Sequence, residues 1–205
     1  MNAHIAQSIR DQRRDRILQV AREVFFEEGY AAATMSTIAA RLGGSKATLY
    51  AYFKNKEDLF EEIIRDQCSV LERLVMLEEE GADIRTTLTA LGRELVTAMS
   101  SDQAVRTMQL VIEESRRNPE LARRFDAAGP KVGSERLAAY LSRAHAKGEI
   151  YAPDPLQAAD MLAILLKGEL FFRRLLGLEP EPSADEIEKK VETAVTIFLT
   201  VYARK

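Results

Sequence analysis

The segment TMSTIAARLGGSKATLYAYFKNKEDLF, Thr34 to Phe60, decides how the chain is read. Ile38, Ala39 and Leu42 recur at intervals of three and four, the spacing that gives a helix one buried stripe, and Leu49 and Phe53 repeat it a few residues on. Two short helices with such stripes can share a core. Gly43 and Gly44 supply backbone freedom at the bend between them, and small Ala39 lets the helices approach closely. Thr34 and Ser45 each precede a helical stretch and are the expected N-caps. The second stretch, Lys46 to Phe53, is short enough to present its first half to a groove about 12 Å wide. A short helix, a glycine turn and a second short helix with polar exposed positions form the layout of a helix-turn-helix that reads duplex DNA.

The side chains around that turn sort by reach. Lys46 and Thr48 open the second helix, where they can meet base edges or the neighbouring phosphates; Ala47 permits close approach to a base. Lys46 suits a guanine, and Thr48 suits either a thymine methyl or a phosphate. Tyr50 and Tyr52 put two hydroxyl-bearing rings where Leu49 and Phe53 already fill the core, so Tyr52 is expected on a phosphate, while Tyr50 divides between packing and contact. Lys56 stands in the first turn of the next helix, where its charge opposes the helix dipole and a phosphate would offset the mismatch. Thr34, Ser36 and Thr37 begin the preceding helix, and their hydroxyls can hold phosphate and set register, with ordinary capping an equal use for Thr34.

These residues resemble the DNA-binding region of the TetR family of bacterial transcriptional regulators. The resemblance lies in Thr34, Ile38 with Ala39, Gly43, Ser45 with Lys46, Thr48 with Leu49 and Tyr50, Tyr52 with Phe53, and Lys56 with Glu57. It extends back to about Arg14 through Ile17, Ala21, Phe25, Phe26, Gly29 and Tyr30. Gly44 departs from the usual Val and Ala47 from the frequent Gly; alanine is small and favours helix. The resemblance implies that Lys46 and Thr48 face the major groove, that Lys56 binds phosphate, and that the remainder of the chain encloses an effector pocket and pairs with a second copy.

Composition sets the outer limits. The chain has 205 residues, 46% of them apolar, enough to fill a core, and a net charge of -3. The charge is unevenly placed: residues 1–56 carry nine Arg and Lys against five Asp and Glu, and the rest carry 20 against 27. A basic head on an acidic remainder directs the head toward phosphate. The single Cys68 excludes an internal disulfide, and the two histidines, His4 and His145, lack carboxylates at metal-ligand spacing, so neither metal nor cofactor is expected and His145 reads as a solvated helix residue. No basic-then-apolar leader and no run of 18 apolar residues occurs, which predicts a cytoplasmic protein without a membrane partner. Ser45, Ser100 and Ser101 lack a matching His and acid arrangement, and no phosphate-binding glycine loop follows a strand, so no enzyme is expected.

Periodicity predicts an all-α chain of about nine helices: a helix-turn-helix head over 1–56 with a first helix from Arg14 to Glu28, then a larger helical bundle over 57–205. Asn55, with Asp58 in the reciprocal position, caps a helix whose apolar face continues through Leu59, Phe60, Ile63, Ile64, Leu71, Leu74 and Val75. Further helices are expected over Ile84 to Met99, mildly interrupted by Gly92, over Gln103 to Arg116, and from Pro119 with a break near Gly129 and a resumption to about Lys147. Asp154 with Pro155 opens the next, bearing Leu156, Leu162, Leu166 and Phe171, and a last one runs from about Ala184 through Val195 and Phe198 to Tyr202. These last two are apolar on more than one narrow face, which predicts a homodimer contact through residues such as Leu166 and Val195. Met99, Met108 and Phe171, soft or aromatic residues that also suit plain core, are the candidates for lining a pocket for a small, mostly apolar effector.

The expectation that unites these readings is a ligand-responsive repressor that binds a palindromic operator as a dimer. A constitutive regulator or activator whose second part only dimerises is the alternative, and a fully packed second part would favour it.

Overall fold

The computed structural model describes residues 2–68 and 81–203, with residues 2–9 as backbone alone. Ten helices and no strand occur among the described residues: α1 Asn2–Glu28, α2 Met35–Leu42, α3 Lys46–Tyr50, α4 Lys56–Gln67, α5 Ile84–Ser100, α6 Asp102–Ser115, α7 Pro119–Ala128, α8 Pro130–Lys147, α9 Pro155–Leu175 and α10 Ala184–Val201. None of the described helices is long and apolar enough to cross a membrane. The chain divides into two compact units, Met1–Asp66 with Leu110–Ala128, and Gln67–Gln109 with Gly129–Lys205.

The first unit is built on the apolar stripe of α1. Ile17, Leu18, Ala21, Val24 and Phe25 are buried together with Ile38, Leu49, Phe53, Leu59 and Phe60. Phe25, Tyr30 and Phe60 form a three-ring cluster with centroids 5.3 to 6.3 Å apart, two of its contacts edge-on; burying each ring contributes about 1.5–3 kcal/mol. An ion pair ties α7 to α4 within this unit, Arg124 to Glu61 at 2.5 Å, and Arg124 also lies 3.4 Å from Glu120 on its own helix. The first helix starts twelve residues earlier than the expected Arg14 because the polar run before it, although without an apolar stripe, contains no Pro or Gly to stop a helix.

Local signals placed most ends where expected. Thr34, Ser45, Asp83, Asp154 and Ser183 each accept from a backbone N–H in the first turn of the helix they cap. Asn55 accepts from the Asp58 N–H at 2.7 Å, but the Asp58 carboxylate accepts from Lys54 instead of closing back on Asn55. Leu71, Leu74 and Val75 lie outside the described residues.

The second unit packs α9 against α8, α10 and α5. Leu88, Leu91, Leu141, Leu162, Leu166, Val191, Val195 and Phe198 form its core. Gly92 does not interrupt α5; there α5 lies close against its neighbours, since a Cβ would stand 2.8 Å from Val191 Cγ1 and 3.1 Å from Leu166 Cδ2. The helix α9 is broken at Gly168, whose φ of 45° and ψ of -151° suit only glycine, and a Cβ there would overlap the Lys190 ammonium. Leu156, expected on the apolar face, is exposed. His145 is half-buried rather than solvated: its Nδ1 accepts from the Ala152 N–H at 3.2 Å, holding the connection between α8 and α9. Arg174, buried on α9, donates to the Ser100 carbonyl at 3.1 Å, to the Glu179 carbonyl at 3.0 Å and to the Asp102 carboxylate.

Candidate nucleic-acid interface

The turn between α2 and α3 forms as the glycines demand, with one difference. Gly43 alone takes the left-handed conformation, φ 68°, and its N–H closes on Ala40 at 3.1 Å, while Gly44 donates to Ala39 at 3.3 Å without leaving the ordinary region. The recognition element is shorter than expected: α3 ends at Tyr50, and Tyr52 and Phe53 lie in the following turn, where Phe53 still reaches the core. Phe53 is sealed by the same apolar pull that the spacing indicated; a turn delivers it as well as a helix would.

Hydroxyls organise both helix starts. Thr34 Oγ1 accepts the Thr37 N–H at 3.1 Å and lies 2.7 Å from the Thr37 hydroxyl. Ser45 Oγ accepts the Thr48 N–H at 3.2 Å and lies 3.1 Å from the Thr48 hydroxyl. Capping therefore holds Thr37 and Thr48 half-buried, and Thr34 and Ser36 remain exposed. With Leu49 fully buried on the opposite side of α3, Lys46, Ala47 and Tyr50 are turned to solvent as one edge. That edge carries hydrogen-bond donors, a small residue and an aromatic ring, which is the complement a base edge and its flanking phosphates require.

Charge around the edge is positive where it is free and neutralised elsewhere. Arg41 pairs with Glu27 and lies 3.8 Å from Glu28, and Arg14 pairs with Glu62. Among the described residues no carboxylate pairs with the ammonium of Lys46 or of Lys54, a second exposed lysine that no helical spacing marks because it falls between two helices. Lys56 is half-buried: its ammonium donates to the Tyr30 carbonyl at 2.7 Å and lies 4.3 Å above that residue's ring. Burial lowers its pKa against the opposing pull of Glu57 and Glu114, and burial together with Glu57 pushes the Tyr30 phenol far above its ordinary value. Tyr52 is half-buried, with the Arg10 guanidinium 5.9 Å from its ring centre.

The remaining site candidates are placed less favourably. Met99 packs at the edge of the second unit's core, and Met108 and Phe171 are half-buried in the same unit. Leu166 is 1% and Val195 0% exposed, so both belong to the core of their own chain and cannot meet a partner. A helix apolar on two faces does not disclose which face is inside. The exposed apolar side chains on the same helices include Ile164 at 64%, Phe172 at 58%, Ile197 at 45% and Val201 at 67%. A polar groove of about 330 Å³ in the first unit is lined by Glu61, Arg65, Glu120, Arg123 and Arg124, whose charges are paired with one another.

Comparison with known proteins agrees with this geometry. Residues 17–63 match the family model of bacterial regulatory proteins of the tetR family, and residues 86–204 match the C-terminal domain of AefR-like transcriptional repressors. An HTH-type transcriptional repressor of Mycobacterium tuberculosis is 31% identical over 186 residues, 89% of this chain and 87% of that protein. A TetR-family transcriptional regulator from Mesorhizobium loti superposes with a TM-score of 0.79 at 26% identity, over 94% of this chain and 97% of that one. The flavonoid-responsive regulator FrrA superposes with a TM-score of 0.75 at 33% identity, over 95% of this chain and all of that one. The chain belongs to the TetR family: it is a transcriptional regulator with a DNA-binding helix-turn-helix, in a family of regulators rather than enzymes.

Proposed function

We propose that the protein is a ligand-responsive repressor that binds a palindromic operator as a homodimer in the cytoplasm. The observation that carries this reading is the exposed edge of α3, Lys46, Ala47 and Tyr50, standing over a sealed core. In this reading Lys46, Ala47 and Thr48 meet base edges. Thr34, Ser36, Thr37, Tyr50, Tyr52 and Lys56 hold phosphates on either side, Lys56 through the two donors left after its bond to Tyr30. Residues 1–56 carry the DNA contacts, and 57–205 the dimerisation and effector functions.

Dimerisation is supported by the exposed apolar side chains of α9 and α10. Ile164, Phe172, Ile197 and Val201 would make a four-helix contact with the same helices of a second copy. A two-fold dimer presents two recognition helices to half-sites about 34–36 Å apart, which is why the operator is palindromic.

The repressor and effector parts of the reading draw on the relatives. The M. tuberculosis relative is a repressor and FrrA is flavonoid-responsive, which favours a small, mostly apolar aromatic effector held near Met99, Met108 and Phe171. An effector that binds the DNA-incompetent state about 100-fold better shifts the equilibrium by roughly 2.7 kcal/mol, enough to release a moderately bound operator. The test is a titration of the protein against duplexes from its own upstream region, with and without a panel of flavonoids and other aromatic compounds. Release by one of them supports the reading. Operator affinity unchanged across the panel leaves the constitutive regulator in its place.

A further inference from the structure

Arg10 and Arg14 lie four residues apart on one face of α1, and the two end differently. Arg14 stands over the Phe53 ring, 6.0 Å from its centre, and its charge is neutralised by Glu62. Arg10 stands over the adjacent Tyr52 ring at 5.9 Å and is exposed, and no carboxylate pairs with it among the described residues. Residues 1–9 contain no Asp or Glu. A guanidinium over a ring is held in place while its N–H donors remain available. A phosphate oxygen within reach of the Tyr52 hydroxyl is thereby offered a second, charged donor.

We infer that Arg10 is a phosphate contact in the DNA complex, held by its stacking on Tyr52, so that α1 adds a backbone contact beyond α2 and α3. The inference rests on the recognition-helix reading above, since Tyr52 is its anchor. It also gives a use to the part of α1 that precedes the buried stripe: that segment positions an arginine over the end of the recognition element. The contact is to the sugar-phosphate backbone, so it raises affinity for every sequence and discriminates among none.

The full-length protein would be titrated by fluorescence anisotropy against a labelled random-sequence duplex of about 30 base pairs, across about 50 to 200 mM salt. Arg10→Ala is expected to weaken binding several-fold and to reduce the slope of log K against log salt by about 0.9, the signature of one lost phosphate contact, with thermal stability unchanged. Arg10→Lys should keep the slope and recover part of the affinity, because the charge survives and the planar stack does not. Arg16→Ala, which removes an exposed arginine engaged with Gln19, should leave the slope at the wild-type value. An Arg10→Ala variant that matches Arg16→Ala in affinity and slope would overturn the inference. So would weaker binding at unchanged slope, which would make Arg10 a positioning residue for Tyr52 only. If Lys46→Ala and Tyr52→Phe also bind like wild type, the recognition-helix reading itself fails; if they weaken binding and Arg10→Ala does not, only the arginine contact is lost.

Discussion

Lys56 opens α4 with its ammonium 2.7 Å from the carbonyl oxygen of Tyr30, in the turn that ends α1. The same ammonium lies 4.3 Å above the Tyr30 ring, so one side chain braces two elements of the first unit. A lysine at a helix N-terminus meets an unfavourable dipole, and the carbonyl and ring face offset it. Lys56→Ala is therefore expected to cost about 1–2 kcal/mol of stability in denaturant titrations, in addition to weakening DNA binding. A variant as stable as wild type would remove the brace.

Recognition and phosphate contacts should separate by their effects. Lys46→Ala and Thr48→Ala are expected to relax sequence preference, each good base contact being worth about 1–3 kcal/mol of discrimination, while Tyr52→Phe weakens all duplexes alike. Binding titrations at fixed salt against an operator and single-base variants measure both. Equal losses on every duplex for Lys46→Ala and Thr48→Ala would reassign them to the backbone.

The second unit should dissociate before it unfolds when its exposed side chains are charged. Ile164→Glu and Ile197→Glu change residues that lie on the surface of the single chain, so a folded monomer is expected by sedimentation. Leu166→Glu, which buries a charge in the core, should unfold the unit instead. Dimers surviving in both surface variants would place the contact elsewhere.

Arg174 joins α9 to the α5–α6 junction through the Ser100 carbonyl and Asp102, and to the segment after α9 through the Glu179 carbonyl. Replacing it with Met leaves the buried Ser100 carbonyl without this donor, an expected loss of about 1–3 kcal/mol, and Lys should recover less than half because one ammonium cannot reproduce the fork. Equilibrium urea unfolding provides the check. A neutral Met variant would show that packing alone holds the junction.

Acid should weaken the helix starts. The Asp83 carboxylate is held below its ordinary pKa by hydrogen bonds from Thr86, and Glu186 by bonds from Ser183. A carboxylate with a depressed folded pKa contributes stability that is complete above its unfolded pKa and lost as pH falls through the folded one. Asp83→Asn keeps a capping oxygen without the charge, so its melting temperature should lie below wild type at neutral pH and converge with it in acid. A constant difference down to the lowest pH at which the protein folds would exclude this linkage.

The sequence alone determined what depends on near neighbours along the chain. Thr34, Ser45, Asp154 and the Gly43 bend were legible because a cap or a left-handed turn is settled within three or four residues, and the apolar intervals around Ile38 and Leu49 located the helix-turn-helix. Tertiary structure decided what depends on which face meets which neighbour. Leu166 and Ile164 are both apolar and two residues apart on α9, yet packing against α5, α8 and α10 takes Leu166 inside and leaves Ile164 out. Gly92 is needed because Val191 and Leu166 fill the space beside it, and Arg10 gains its meaning from Tyr52, 42 residues away. Helical period records how many faces of a helix are apolar; only the neighbours, brought together from distant sequence, determine which of those faces is buried.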